Sequence, residues 1–168
     1  MSARDMSDAP TKRTRKRRAA NKPQPIPASE TNTTYFWKRQ TITETFARIQ
    51  ADLEHPWLAI GDFLDDWRFT ESQDRADLVR EGIVALDEQS GERVELHRWA
   101  SFCAAMVEWL CWQDGLPFPE WTSCSDYRLE EPWFLYPGDL LRAWQLATTP
   151  APFKMRNIFG GDQMLARA

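Results

Sequence analysis

Three closely spaced aspartates are the first side chains in this sequence whose type and spacing suggest chemistry. Asp62, Asp65 and Asp66 lie on a segment with helical spacing of apolar residues, and a pair of carboxylates together with substrate phosphates is a common Mg²⁺ site. No phosphate-binding glycine loop or nucleotide fingerprint lies near them. We therefore favour an exposed acidic helix face over a metal site.

The histidines and cysteines match neither a common zinc ligand set nor a motif for a catalytic nucleophile. His55, His97, Cys103, Cys111 and Cys124 would form an unusual zinc ligand set. On one helix, Cys103 and Cys111 would lie about 12 Å apart along the axis, which is too far for a disulfide. His97 has no Ser or Cys nucleophile near it in an identifiable motif, which favours a capping or solvated histidine over a base. We predict no metal, no cofactor and no catalytic residue.

Near the C-terminus, cationic and amide side chains alternate with apolar residues. Lys154, Arg156 and Asn157 lead into Gly160-Gly161, and backbone amides of such a turn together with nearby cations can hold an anion. The glycines match no phosphate-loop spacing. This segment is the basis of an alternative function, a small enzyme or a nucleotide- or anion-binding protein.

Aromatic residues flanked by prolines occupy residues 116–137. Trp121, Trp133 and Tyr136 suit a partner-binding surface, because Trp and Tyr are frequent anchors of protein interfaces. Inward packing of these side chains over the core is the interpretation we favour.

A basic N-terminal segment precedes an acidic body. Residues 1–29 hold eight Lys/Arg and two Asp, whereas residues 30–168 hold 13 Lys/Arg and 23 Asp/Glu. The densest basic run can bind phosphate backbones through counterion release, or it can be a solvated tail. No aromatic residue interrupts the run, which argues against base stacking. The candidate nucleic-acid contacts are Lys12, Arg13, Arg15, Lys16, Arg17 and Arg18.

Composition divides the chain into two parts. Residues 1–33 contain few apolar residues and are predicted to be a disordered basic arm, and residues 34–168 are predicted to be a single helical domain. The N-terminus is polar and then basic, which does not predict a signal peptide. With an odd number of cysteines, a reducing, cytoplasmic setting is expected.

The helix that positions the other elements is predicted over Arg98–Trp112. It is apolar around most of its circumference, which is typical of a helix buried on several sides, and Gly115 suits the left-handed position after its end. Arg98, Ser101, Ala105 and Glu108 share one narrow stripe, which we expect to be exposed. Glu108 lies either on that stripe or buried against an arginine, because an unpaired buried carboxylate is too costly.

About five helices in all are expected, giving a mainly α fold. Thr41 and Glu44 fit a capping box before a helix that ends at His55-Pro56. Further helices are predicted over residues 57–67, 72–81 and 139–147. Residues 83–86 and 93–96 can form a short β-ribbon, although a plain loop fits them almost equally well.

Three C-terminal stretches resemble a known group of proteins. They are Glu131-Pro132-Trp133-Phe134, Thr149-Pro150-Ala151-Pro152-Phe153 and Arg156-Asn157-Ile158-Phe159-Gly160-Gly161-Asp162. Together they resemble the corresponding parts of small uncharacterised bacterial proteins, over roughly residues 41–168. The resemblance implies a bacterial origin and suggests a link to toxin–antitoxin or mobile-element operons. It implies no activity.

These features together predict a binding module that is not an enzyme. We expect an antitoxin-like or regulatory protein whose acidic body holds a protein partner, while the basic arm contacts nucleic acid or becomes ordered on binding. The predicted partners are a protein and, through the arm, nucleic acid. No membrane partner is expected, because the apolar central run is shorter than the roughly 20 residues that span a bilayer.

Overall fold

The fold is mainly α-helical, as the sequence predicts. The computed structural model describes residues 38–83 and 91–166, with the backbone alone for residues 91–93. The basic run 12–18 and the predicted boundary between residues 33 and 34 lie outside the described residues, so both remain predictions.

The described ranges contain six α-helices and one pair of short strands. The helices are α1 (Ile42–Ala51), α2 (Pro56–Phe69), α3 (Arg75–Leu78), α4 (Gly91–Asp114), α5 (Asp139–Thr148) and α6 (Ala151–Lys154). Two 3₁₀ turns, Glu120–Ser123 and Ser125–Tyr127, follow α4. Strand β1 (Trp133–Phe134) pairs in parallel with β2 (Ile158–Phe159), so that Trp133 faces Ile158 and Phe134 faces Phe159.

Local signals set the starts of the first two helices, whereas α1 ends at Ala51, before the predicted stop at His55-Pro56. The Thr41 hydroxyl accepts a hydrogen bond from the Glu44 amide, and the Glu44 carboxylate accepts one from the Thr41 amide, which completes the predicted capping box. Pro56 takes the first position of α2, where its missing N–H would have no helical partner. The third predicted helix is much shorter than residues 72–81 and begins after Asp74 rather than Ser72.

Helix α4 is longer than predicted and replaces the proposed β-ribbon. It begins at Gly91, so Arg93–Leu96 is helical rather than a strand, and residues 84–90 lie outside the described residues. Arg, Glu and Leu are good helix formers, and a short apolar run cannot distinguish a strand from a helix by its pattern alone. The C-terminal end agrees with the prediction: Gly115 has φ +67°, and Leu116 N–H donates to Cys111 O in a Schellman motif.

The predicted exposed stripe on α4 is wrong at its centre. Ser101 and Ala105 are fully buried, because α4 contacts α1 on one side and α6 and the 3₁₀ turns on others. Phe102, Met106 and Val107 are also fully buried. The helix is therefore enclosed over most of its middle turns, as its nearly uniform apolar composition indicates.

Candidate functional site

Glu108 is buried against an arginine, which is the second of its two predicted environments. Arg156 donates from Nη2 to Glu108 Oε1 at 2.7 Å and from Nη1 to Oε2 at 2.8 Å. The two side chains are only 8% and 14% exposed. Bidentate pairing of this kind gives both charge neutralisation and fixed geometry. It joins the C-terminal part of α4 to the segment between α6 and β2.

Arg156 also fixes two neighbouring backbone segments. Its Nη2 donates to Thr122 O at 2.6 Å, and its Nη1 donates to Pro152 O at 3.1 Å. The guanidinium thereby connects α4, the first 3₁₀ turn and α6. Of the predicted anion-binding cations, Arg156 thus already has a carboxylate partner and is buried.

The Gly160-Gly161 amides converge on an internal oxygen. The N–H groups of Gly160 and Gly161 donate to Thr149 Oγ1 at 3.0 and 2.8 Å, and that hydroxyl donates to Gln145 O at 2.6 Å. The hydroxyl thus occupies the place where an anion would sit between two amides. Anion binding by this turn stays a prediction, and it requires these hydrogen bonds to break.

Lys154 and Asn157 also make specific hydrogen bonds to the backbone. Lys154 Nζ donates to Ala147 O at 2.9 Å, at the C-terminal end of α5, where a cation is favoured by the helix dipole. Asn157 has φ +59°, a conformation that Asn tolerates better than most residues. Its Nδ2 donates to Leu129 O at 2.6 Å, and its carbonyl accepts from Trp133 N–H at 2.8 Å. Asn157 therefore shapes the entrance to β2.

Two of the three predicted aromatic anchors, Trp121 and Trp133, are partly buried against the rest of the protein. Trp121 Nε1 donates to Val79 O at 2.9 Å, and Trp133 packs edge-on against Trp99 at 5.1 Å between ring centroids. Tyr136 is 36% exposed, and its backbone N–H and carbonyl both bond to the Gln145 side chain. Trp121 and Trp133 therefore pack inward, whereas Tyr136 is exposed, and partner binding by these residues stays a prediction.

Two aspartates of the acidic cluster on α2 form ion pairs with arginines, and the third accepts a hydrogen bond from the backbone. Asp62 pairs with Arg48 at 2.7 Å and Asp65 with Arg68 at 3.0 Å, and Asp66 accepts from the Gln40 amide at 2.6 Å. Across residues 38–83 and 94–166, no group of three or more His, Cys, Asp and Glu side chains is arranged to hold a metal ion.

His97, Cys103 and Cys111 are buried, whereas Cys124 is exposed. The predicted capping or solvated environment of His97 is wrong: the residue lies inside α4, its side chain is buried, and its Nε2 bonds to Asp126 O. Burial raises the pKa of the Cys103 thiol to about 12. Burial, together with Asp114 and Glu108, raises the pKa of Cys111 to about 11. Both thiols therefore stay protonated near neutral pH, and the thiolate is the nucleophilic form.

An apolar groove lies beside the Glu108–Arg156 pair. Trp109 and Trp112 on α4 stack at 5.0 Å between ring centroids, and Phe118 and α6 complete the walls. The groove has a volume of about 530 Å³. Its lining residues are Glu108, Trp109, Trp112, Phe118, Ala151, Pro152 and Met155.

Large apolar side chains at this groove are exposed. Trp112 is 62%, Phe118 52% and Met155 69% exposed. The Schellman motif at Gly115 turns the chain after α4 and leads it to Phe118. We define these three residues with Trp109 as the Trp112 groove.

Sequence patterns alone do not identify the Trp112 groove. They place Trp109 on the buried surface of α4, and they place Phe118 in the proline-flanked aromatic stretch without marking it as an anchor. One sequence feature does indicate that Trp112 is exposed: it directly precedes the polar pair Gln113-Asp114 at the helix end. The facing wall comes from α6, whose position depends on long-range packing and has no local signature.

Comparisons with known proteins identify no relative of this chain: no family model, no curated protein and no solved structure matches it. The resemblance of the C-terminal stretches to small bacterial proteins thus assigns no activity. None of the helices in the described part of the chain has both the length and the apolar composition needed to cross a bilayer.

Proposed function

We propose that the protein is a non-enzymatic binding module that holds a protein partner in the Trp112 groove. The observation that carries the proposal is the exposure of Trp112, Phe118 and Met155 around one groove. Clustered exposed apolar side chains on a soluble protein mark interaction sites. Aromatic residues and methionine are also enriched in the cores of protein interfaces.

The chemistry of these side chains favours a peptide segment as the ligand. Stacked indole rings form a flat apolar wall, and the unbranched Met155 side chain adapts to differently shaped ligands. The Glu108 carboxylate at the edge is already paired with Arg156, so binding does not leave it as an unpaired charge.

The net negative charge of residues 30–168 favours a partner with basic residues. Residues 30–168 carry ten more acidic than basic residues, and complementary charge accelerates association and suppresses wrong partners. We therefore propose a partner segment with apolar anchors flanked by Lys or Arg. An antitoxin-like or other regulatory role fits this arrangement, with residues 12–18 contacting nucleic acid or becoming ordered on binding.

A peptide library displayed on phage and selected against the full chain tests this proposal. We expect enriched peptides to carry aromatic or branched aliphatic anchors next to basic residues. Trp112→Ala and Phe118→Ala should each weaken binding of the enriched peptides by roughly tenfold or more, the effect of losing an interface hot spot.

Phe69→Ala is the matched control. Phe69 is 82% exposed at the end of α2 and does not line the Trp112 groove, so this variant should bind the peptides as the unmodified chain does. The proposal is wrong if no peptide is enriched, or if the three variants bind the enriched peptides equally well.

A further inference from the structure

Helix α5 exposes an apolar face that no other described element covers. Of its ten residues, Gln145 alone is buried. Leu140 is 98% exposed, and Ala143 and Ala147 are exposed beside it. These three residues follow the spacing i, i+3 and i+7, which places them along one stripe of the helix.

The residue sizes along the stripe suit packing against a second copy of the same helix. Small residues allow helix backbones to approach closely, and a leucine inserts as a knob between residues of a facing helix. If a second α5 packs antiparallel with Ala143 at the crossing point, Leu140 of each copy lies against Ala147 of the other. A two-fold interface needs this kind of patch, because the same surface must serve on both sides.

The charges at the two ends of the stripe are also self-complementary. Asp139 lies at the N-terminal end of α5, where its carboxylate is 3.5 Å from Arg142 and its side chain remains 92% exposed. At the other end, the Lys154 ammonium lies on Ala147 O. Antiparallel packing brings each Asp139 towards the Lys154 of the other copy, and it aligns the two helix dipoles favourably.

From this shape and charge we propose that the face formed by Leu140, Ala143 and Ala147 binds a second copy of this chain in an antiparallel arrangement. A ten-residue helix is only about 15 Å long, so the interface is smaller than the roughly 1,200 Å² of a standard stable complex. The dimer is therefore weak and depends on concentration. It lies on residues other than those of the Trp112 groove and is independent of the proposed function.

Sedimentation velocity of the full chain from about 10 μM to 1 mM tests the dimer. We expect the weight-average sedimentation coefficient to rise with concentration, and Leu140→Lys to raise the dimer Kd by more than about tenfold. Leu58→Lys is the control, because Leu58 is 64% exposed on α2 and should leave the Kd unchanged.

A charge exchange tests the antiparallel arrangement. Asp139→Lys should weaken the dimer, because it places two cations together at each end of the stripe. Adding Lys154→Asp should restore the dimer. A merely structural effect of either substitution would not produce this restoration.

Cross-linking locates the crossing point. In a Cys124→Ser background, which removes the exposed thiol, Ala143→Cys should form an intermolecular disulfide under mild oxidation. Ala51→Cys, at an exposed position of α1, should not. The proposal is overturned if the chain stays monomeric up to 1 mM. It is also overturned if Leu140→Lys leaves the dimer intact, or if Lys154→Asp fails to rescue Asp139→Lys.

Discussion

Glu108 and Arg156 lie 48 residues apart in the chain, yet their bidentate contact joins α4 to the C-terminal segment. Removal of two charges from water is costly, and their mutual attraction offsets that cost only in good geometry with further hydrogen bonds. The pair with Arg156 is bidentate, and the guanidinium also donates hydrogen bonds to Thr122 O and Pro152 O. At the scale of single residues, this pair stabilises one wall of the Trp112 groove.

Glu108→Ala should lower the free energy of unfolding by about 3–5 kcal/mol, because it leaves the Arg156 guanidinium buried without its carboxylate. Chemical denaturation with tryptophan fluorescence measures the change. Glu95→Ala is the control on the same helix. Glu95 pairs with Arg98 near the surface, so its loss should cost no more than about 1 kcal/mol. Equal effects of the two substitutions would contradict the structural role of the pair.

At the scale of elements, the C-terminal segment is organised by close contacts of backbone and side chain. The Gln145 side chain holds Tyr136 by two hydrogen bonds, and Thr149 holds the Gly160-Gly161 amides. Gly161 has φ +77°, and the Trp144 ring occupies the place that a Cβ would take there. A glycine is required there both for its backbone conformation and for the approach of the ring.

Gly161→Ala should lower the free energy of unfolding by roughly 2–5 kcal/mol, through left-handed strain together with overpacking. The new Cβ would lie 2.1 Å from Trp144 Cη2, so the ring has to move. Gly115→Ala is the matched control, since Gly115 has φ +67° and nothing lies within 4 Å of the place that a Cβ would take there. It should show only the strain, about 1–2 kcal/mol. Thermal or chemical unfolding of both variants measures the two losses of stability. Their difference gives the contribution of the clash with Trp144 beyond backbone strain.

At the scale of the whole molecule, charge is divided between a basic N-terminal part and an acidic remainder. Residues 1–29 have a net charge of +6, from eight Lys/Arg and two Asp, and residues 30–168 have −10, from 13 Lys/Arg and 23 Asp/Glu. A concentrated basic run supplies salt-dependent affinity for phosphate backbones without sequence specificity. The proposed nucleic-acid contact depends on residues 12–18 and not on the groove.

Deletion of residues 2–29 should abolish measurable binding to labelled duplex DNA and to single-stranded RNA. Fluorescence anisotropy between 50 and 200 mM salt should give the full chain a logarithmic slope near −5 on duplex DNA if the six cations of the run contact phosphates. Substitution of Arg13, Arg15 and Arg17 by Gln should reduce that slope by about half. Equally weak binding by the full and shortened chains would exclude the nucleic-acid contact.

Much of the fold is predictable because it depends on local signals. The capping box of Thr41 and Glu44, the start of α2 at Pro56 and the left-handed Gly115 each follow from neighbouring residues. The uniformly apolar composition around Phe102 likewise predicts an enclosed helix. Local patterns also predict that Glu108, if buried, needs an arginine, because the cost of burying a charge does not depend on the fold.

The sequence by itself determined the mainly α class, several helix ends and the division of charge. Only the tertiary structure decided that Arg156 is the partner of Glu108 and that Trp112 faces outward. It also decided that the Thr149 hydroxyl accepts the hydrogen bonds of the two glycine amides. Each of these outcomes joins segments far apart in the chain. On a helix apolar on nearly every side, the face that stays exposed is set by which neighbours pack against it, and no periodicity in the sequence records that choice.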